Sequence, residues 1–581
     1  METPELRKPE LLCSTLRDGR QLVRKRGDVF KVRDPVRRAV EYAQTLHRFG
    51  VRHMDAGVPA ATQDGGIGRA TVEAVARAMA EQPDFTVMGF TRGKERDIAS
   101  TVSAVSHAAR SGVLMLVSLS NTHLAKYRGR FPVDTPDDDI YRDMLTQFEA
   151  AARLACSMRD TGEIDVVHAY LEDATRMDDR QRAEVSEAMI DAGVDMLCLP
   201  DTLGVTDEHE YVEMFRDTQD RLGSPRTNAV LWGAHCHSDF ANAEANTMAA
   251  ARAGVAQVLE GTFGGGGPGE GLGNADLNVI VYQLLRKRRR ELAPHLQNLG
   301  LTPQLLYELN QQASQVLGRH IPPNAPLVGS KAQRQTGAGI HQDGVAKERR
   351  ENGNGSSDRM YFHSFTDFGV PDRPRFAVTD MSGRSGLREA MHERGITTDG
   401  MDLVRAYNHA IRMAKYFNYE LTDDRLQAIA WEASHPEDNR MVQVDLDAIE
   451  GDGQHGNPMS IPIEFCGEQL VISGTGKGAL GAFNDALNKL MKHRFGIGID
   501  ITYFDEGAET EAATEGEKHD AVVIADTIFR VNGDDVTSFG FDENQVYASL
   551  KACLLALNIW LDQQSEELEE LQAQRAAMVD V

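Results

Sequence analysis

The chain is short of cysteine, of basic charge and of long apolar runs, and each shortage narrows what it can be. Six cysteines (Cys13, Cys156, Cys198, Cys236, Cys466 and Cys553) are scattered over 581 residues, and none forms a Cys-x-x-Cys pair. That argues against a disulfide framework or a structural zinc site. Basic residues number 62 against 88 acidic ones, a formal net charge of −26. The balance argues against nucleic-acid or membrane-surface binding as a general role, and an anionic substrate needs a local basic pocket. No stretch approaches the ~18 consecutive apolar residues of a membrane span. The opening Met1-Glu2-Thr3-Pro4-Glu5-Leu6-Arg7 has no apolar signal region, so the cytoplasm is the expected location.

What is present points to a soluble enzyme of several domains. Hydrophobic residues at 41% and charged residues at 26% are ordinary for a globular protein, and the length exceeds what one core holds. Residues 10–280 alternate short apolar runs with helical patterns such as Asp34–Phe49 and Gly68–Ala80. The runs are Leu11–Thr15, Val51–Asp55, Phe85–Phe90, Val113–Ser118, Ile164–Leu171, Met196–Pro200, Ala229–Ala234 and Ala256–Thr262. Eight strand-helix units of this size predict an α/β fold, a (β/α)8 TIM barrel over residues 1–282. A doubly wound open sheet is the rival, and would spread the strand ends along a crevice instead of a ring.

Each run is followed by polar chemistry: Arg17-Asp18, Asp55, Arg92, Ser120 and His123, Glu172-Asp173, Asp201-Thr202, His235-Cys236-His237, then a glycine-rich loop. Side chains two apart on a strand share a face, so His235 and His237 converge at one strand end. With Asp18 they describe a catalytic divalent-metal site with open positions. The bland alternative is one buried and one exposed histidine. Arg17 beside Asp18 suits stabilisation of developing oxyanion charge, or is a surface ion pair. Glu172 is placed for acid-base work, or is a salt-bridged rim residue. His341, in Gly-Ile-His-Gln-Asp-Gly, is a base reaching in from outside the barrel or an ordinary loop histidine. The glycines of Gly261–Asn274 allow close backbone approach to a ligand, and Asn274 offers the metal another oxygen. The loop is neither a dinucleotide fingerprint nor a P-loop. Gly474-Thr475-Gly476-Lys477-Gly478 is read as turn chemistry.

Residues 283–440 read as helical linker subdomains, with Arg349–Asp358 as a mobile polar loop. Residues 441–581 read as an α+β domain. Strands are expected at Val442–Leu446, Ser460–Phe465, Gln469–Ser473, Ile499–Tyr503, Asp520–Ala525 and Thr527–Val531. Helices are expected at Leu480–His493 and Asp542–Leu561, and the acidic tail Glu566–Glu570 reads as a solvated helix end.

Taken together these segments resemble the metal-dependent acyltransferase family of 2-isopropylmalate, homocitrate and citramalate synthases. Ser14–Gln21 is similar to its Thr-Leu-Arg-Asp-Gly-x-Gln signature, and Asp55-Ala56-Gly57-Val58-Pro59 to its Glu-x-Gly-Phe-Pro. Glu172–Arg176, Pro200–Gly204, His235–Asp239, Gly269–Asn274 and Gly339–Gly344 follow in the family's order. Residues 441–560 resemble a leucine-sensing regulatory module ending in Ala556-Leu557-Asn558. The resemblance implies condensation of acetyl-CoA with a 2-oxo acid, 3-methyl-2-oxobutanoate first, in leucine synthesis. Pyruvate or 2-oxoglutarate as the oxo acid, or a non-catalytic amino-acid-binding paralogue, are the alternatives.

It further implies that Asp18, His235, His237 and Asn274 bind Mg or Mn, with Zn as a further option. Arg17, Glu172 and His341 become catalytic, and Arg92, His123, Tyr170 and Thr202 substrate-binding. Gly265, Gly267, Gly269 and Glu270 are implied for acetyl-CoA, together with a homodimer and a leucine effector. A carbon-carbon lyase of the same barrel would carry a cysteine in the glycine-rich loop, and none lies between Cys236 and Cys466. Three departures stand out: Arg20 in place of Glu or Asn, Ser238 in place of Asn, and Tyr170 where a small serine lines the oxo-acid pocket.

Overall fold

Eight strands pair in parallel around a closed ring, β8 returning to β1. They are β1 (Glu10–Cys13), β2 (His53–Asp55), β3 (Thr86–Thr91), β4 (Arg110–Val117), β5 (Val166–Leu171), β6 (Met196–Asp201), β7 (Leu231–Cys236) and β8 (Val258–Gly261). Each expected strand is present with its ends moved by at most three residues, and the open-sheet rival is excluded. The computed structural model describes residues 7–21, 31–60, 68–285, 296, 298–332, 337–352, 365–371, 376–417, 420–454, 457–508 and 522–564.

Why these runs make a barrel follows from their alternation. Leu12, Met88, Leu114, Tyr170, Met196, Cys198 and Val258 pack together inside the ring. Their neighbours Leu11, Cys13, Val87, Val113, Met115, Ala169, Leu171, Leu197 and Leu259 pack outward against the helices. A strand buried on both faces must be apolar at both parities, hence the nearly unbroken runs. The first helix, Pro35–Phe49, opens with proline at its first position and ends at Gly50 with φ 109°, the usual start and stop. Parallel strands place all eight carboxyl ends on one face of the barrel.

Contacts divide the chain into two compact units, Met1–Gln333 with Ser364–Asp372, and Arg334–His363 with Arg373–Val581. In the second unit β9 (Val442–Val444), β10 (Met459–Phe465) and β11 (Glu468–Gly474) form one antiparallel sheet in the order β11-β10-β9. The helix Ala479–Phe495 follows. Then β12 (Ile499–Ala508), β13 (Val523–Val531) and β14 (Asp534–Asp542) form another, followed by the helix Gln545–Gln563.

One expectation is corrected here. Asp520–Ala525 and Thr527–Val531 are not two strands: Val523–Val531 is a single strand, and Asp534–Asp542 pairs back along it. The turn between them is Asn532-Gly533, both at positive φ (53° and 98°). Asn-Gly is the pair that a two-residue hairpin turn of this hand prefers. Cys466-Gly467, at φ 52° and 82°, turns β10 into β11 in the same way. His341 and Arg349–Asn352 belong to a helix, Gly339–Asn352, and not to a loop. Residues 353–358 and the tail Glu566–Glu570 lie outside the described residues.

Candidate metal centre

At the carboxyl end of the barrel Asp18, His235 and His237 offer donor atoms that all lie within 4.8 Å of one another. The two histidine Nε2 atoms face each other at 3.2 Å, and His235 Nε2 is 3.5 Å from Asp18 Oδ2. Ligand atoms about 2.1 Å from one ion and at right angles to each other are about 3 Å apart, so the spacing suits a shared cation. All three side chains are buried, Asp18 at 1% exposure. Asn274 forms an antiparallel bridge with His237, and both atoms of its side-chain amide are buried without a hydrogen-bond partner. Asp18 Oδ2, though 3.1 Å from Arg17 Nη1, accepts no well-aligned hydrogen bond. Buried polar atoms without partners are costly, and a cation satisfies them together. The donor set of oxygens and imidazoles fits a divalent metal.

The charge around this cluster points the same way. Arg17, its side chain 9% exposed, contacts three carboxylates: Nε to Asp55 Oδ2 at 2.7 Å, Nη1 to Asp18 Oδ2 at 3.1 Å and Nη2 to Glu260 Oε1 at 3.0 Å. Its guanidinium also lies over the Phe90 ring, 4.9 Å from the centroid. Three carboxylates against one guanidinium leave two negative charges, which a dication offsets. Burial and the neighbouring Glu260 push the Asp55 carboxyl up to about 6 despite Arg17. Glu260 goes the other way: burial opposes its ionisation, but His235, Arg17 and Tyr170 hold it down at about 2. His235 Nδ1 lies 3.1 Å from Glu260 Oε1, the carboxylate-histidine arrangement that orients metal ligands.

Comparison with known proteins agrees with this geometry. The HMGL-like family profile matches residues 8–305, slightly more than half of the chain. The chain belongs to the HMGL-like family. Residues 420–561 match the LeuA allosteric (dimerisation) domain. The chain is 26% identical over 560 residues to the 2-isopropylmalate synthase of Serratia proteamaculans, covering 95% of each chain. It is 27% identical to that of Edwardsiella ictaluri, again covering 95% of each. Among solved structures, the HMG-CoA lyase of Bacillus subtilis aligns with a TM-score of 0.42 at 17% identity, covering 55% of this chain and 97% of that one.

The remaining sequence-derived candidates of this HMGL-like barrel fall into distinct groups. Glu172 accepts hydrogen bonds from Ser118 Oγ and from Lys126 Nζ, the latter at 3.0 and 3.1 Å. His123 Nδ1 is 3.6 Å from the same carboxylate, and burial lowers the His123 pKa despite Glu172. Thr202 Oγ1 accepts from the Asp173 N–H at 2.9 Å, and Asp173 is a positive-φ residue pinned by Ser120 and Arg176. Arg92 pairs with Asp97 at 2.8 Å on the following helix. His341 lies in the second compact unit. Among the described residues, no helix is long and apolar enough to cross a membrane.

Protein packing uses the glycine-rich loop heavily. A Cβ on Gly267 would sit 2.0 Å from the Asn274 carbonyl, and one on Gly265 within 2.9 Å of Ala325 and Ile321. Both residues have positive φ, so the loop's fold around Asn274 already requires glycine there. A buried network holds the loop down. Asp276 accepts from the Gly266 N–H at 2.8 Å and from the Asn278 side chain at 2.7 Å. Asn310 accepts from the Gly264 N–H at 2.8 Å and donates to Asn278 Oδ1 at 2.6 Å. Asn310→Ala leaves both partners buried and unpaired. A loss of about 2–6 kcal/mol is expected from urea unfolding, roughly 1–3 kcal/mol for each orphaned group.

Sequence reasoning missed Glu260, Asn278 and Asn310. No short motif flags them; the available signal was an acidic residue inside the apolar run Val258-Leu259-Glu260, facing the barrel interior.

Proposed function

We propose that the chain condenses acetyl-CoA with a 2-oxo acid, 3-methyl-2-oxobutanoate in the first instance, giving 2-isopropylmalate and free CoA after thioester hydrolysis. The observation that carries this reading is the Asp18–His235–His237 cluster, in a chain that aligns end to end with relatives of that name. Asp18, His235 and His237, with Asn274 as a further oxygen donor, would hold Mg or Mn. When bound, the ion supplies Lewis-acid polarisation of the ketone. Arg17 adds fixed positive charge beside the ketone oxygen as that oxygen becomes an alkoxide. Glu172 and His341 are the candidates for removing a proton from the acetyl methyl group, and Glu172 is held in place by Ser118 and Lys126. The glycine-rich loop and Glu270 are assigned to acetyl-CoA. The LeuA-type domain supports a homodimer and a leucine effector.

Tyr170 favours a second reading, a synthase for a smaller oxo acid. Its side chain is buried inside the barrel beside His235, ring centroids 6.3 Å apart, where it takes up space. An oxo-acid panel with CoA release as readout, in Mg or Mn, separates the two. Highest kcat/KM with 3-methyl-2-oxobutanoate is the expected result, and preference for pyruvate selects the second reading. Absence of CoA release with every oxo acid tested rejects both.

A further inference from the structure

Glu260 is a hub with two oxygens and three partners. Oε1 lies 3.0 Å from Arg17 Nη2 and 3.1 Å from His235 Nδ1. Oε2 accepts the Tyr170 hydroxyl hydrogen at 2.6 Å. The four groups come from the turn after β1, from β5, from β7 and from β8, with Tyr170 at 3% exposure, Glu260 at 1%, His235 at 5% and the Arg17 side chain at 9%. With Nδ1 of His235 turned to Glu260, Nε2 is the nitrogen facing Asp18 and His237. The Tyr170 ring meets the His235 ring edge to face at 73°, so it also limits how far the imidazole can tilt. The hydroxyl carries one hydrogen, and that hydrogen is committed to Glu260. Tyr170 therefore has none left to donate to an anionic substrate, which changes the role expected of it from the sequence.

The geometry points to Tyr170 as a positioning residue for the metal centre: it pins Glu260, and Glu260 fixes His235 with Nε2 presented to the cation. The inference rests on the metal-centre reading above and adds a residue to it. The carboxylate orients the ligand, and the phenol orients the carboxylate through the oxygen that neither Arg17 nor His235 uses. Outer partners of metal ligands typically change affinity by about 10–100-fold when removed. A partner one step further out belongs near the lower end of that range.

The test is Mn2+ affinity of the full-length chain, measured by electron paramagnetic resonance of the free ion. Tyr170→Phe keeps the ring and removes only the hydroxyl. It is expected to weaken Mn2+ binding about 10-fold, with far-UV circular dichroism unchanged. Glu260→Gln should weaken it at least as much. The double variant should be no worse than Glu260→Gln alone, because residues acting through one relay are not additive. Wild-type affinity in Tyr170→Phe, or fully additive losses in the double variant, overturns the inference. His235→Ala is the separate control: if it binds Mn2+ like the wild type, the metal-centre reading itself fails.

Discussion

Alanine at either His235 or His237 is expected to remove stoichiometric Mn2+ binding and to cut CoA release by well over about 100-fold, beyond what loss of an outer partner costs. The two side chains, one near the end of β7 and one just past it, supply two of the three donors that meet at the carboxyl end of the barrel. Losing one leaves a carboxylate and a single imidazole, too few protein ligands for a catalytic site of this kind. His235→Ala should be the more severe, because it also removes the imidazole that Glu260 Oε1 faces and leaves that buried carboxylate with Arg17 and Tyr170 alone. His237 has no such carboxylate contact, and burial together with His235 lowers its pKa, which keeps it neutral as a ligand. Metal content of the purified variants and CoA release at saturating oxo acid check both results. Full activity in His237→Ala would remove the cluster from the mechanism.

Arg17→Ala is expected to be the most destabilising single change in the barrel, by about 3–5 kcal/mol, the usual cost of removing one partner from a buried ion pair. It abandons Asp18, Asp55 and Glu260 together, with Asp18, Asp55 and Glu260 each no more than 1% exposed. Lysine cannot replace the arginine, because one ammonium cannot reproduce a planar fork that reaches three carboxylates. The deficit should narrow in mild acid. Burial already holds the Asp55 carboxyl up at about 6, well above the usual range of an aspartate. A raised carboxyl binds its proton more tightly in the folded state, so it favours folding at low pH and loses that contribution as pH rises through about 6. Urea unfolding of the variant at pH 5 and pH 8 measures the difference. A variant as stable as the wild type at pH 8 would show that the three carboxylates are relieved by solvent.

The barrel and the centre of its site were legible in the sequence to different depths. Short apolar runs alternating with helical patterns were enough for eight strands, and for placing Asp18, His235 and His237 at strand ends on one face. The Asn532-Gly533 hairpin carried a clear local signal that the wider strand pattern obscured. Glu172 and His123 were expected after successive strands on one face, but Lys126 and Ser118, which contact Glu172, come from the adjoining strand end and turn without any recognisable spacing.

Local pattern by itself determined which face each strand residue takes, because that depends only on parity along one strand. It also brought the candidate donors to one end of the barrel, since His235 lies near the end of β7, His237 just past it and Asp18 in the turn that follows β1. Only the closed ring decided which residues meet across its interior. Glu260 on β8 meets Tyr170 on β5, His235 on β7 and Arg17 after β1, and Asn310 meets Gly264 and Asn278 from a helix beyond the barrel. Those partners lie tens to hundreds of residues apart. They are set by how the strands stagger as the sheet closes, and parity within a single strand carries no record of that.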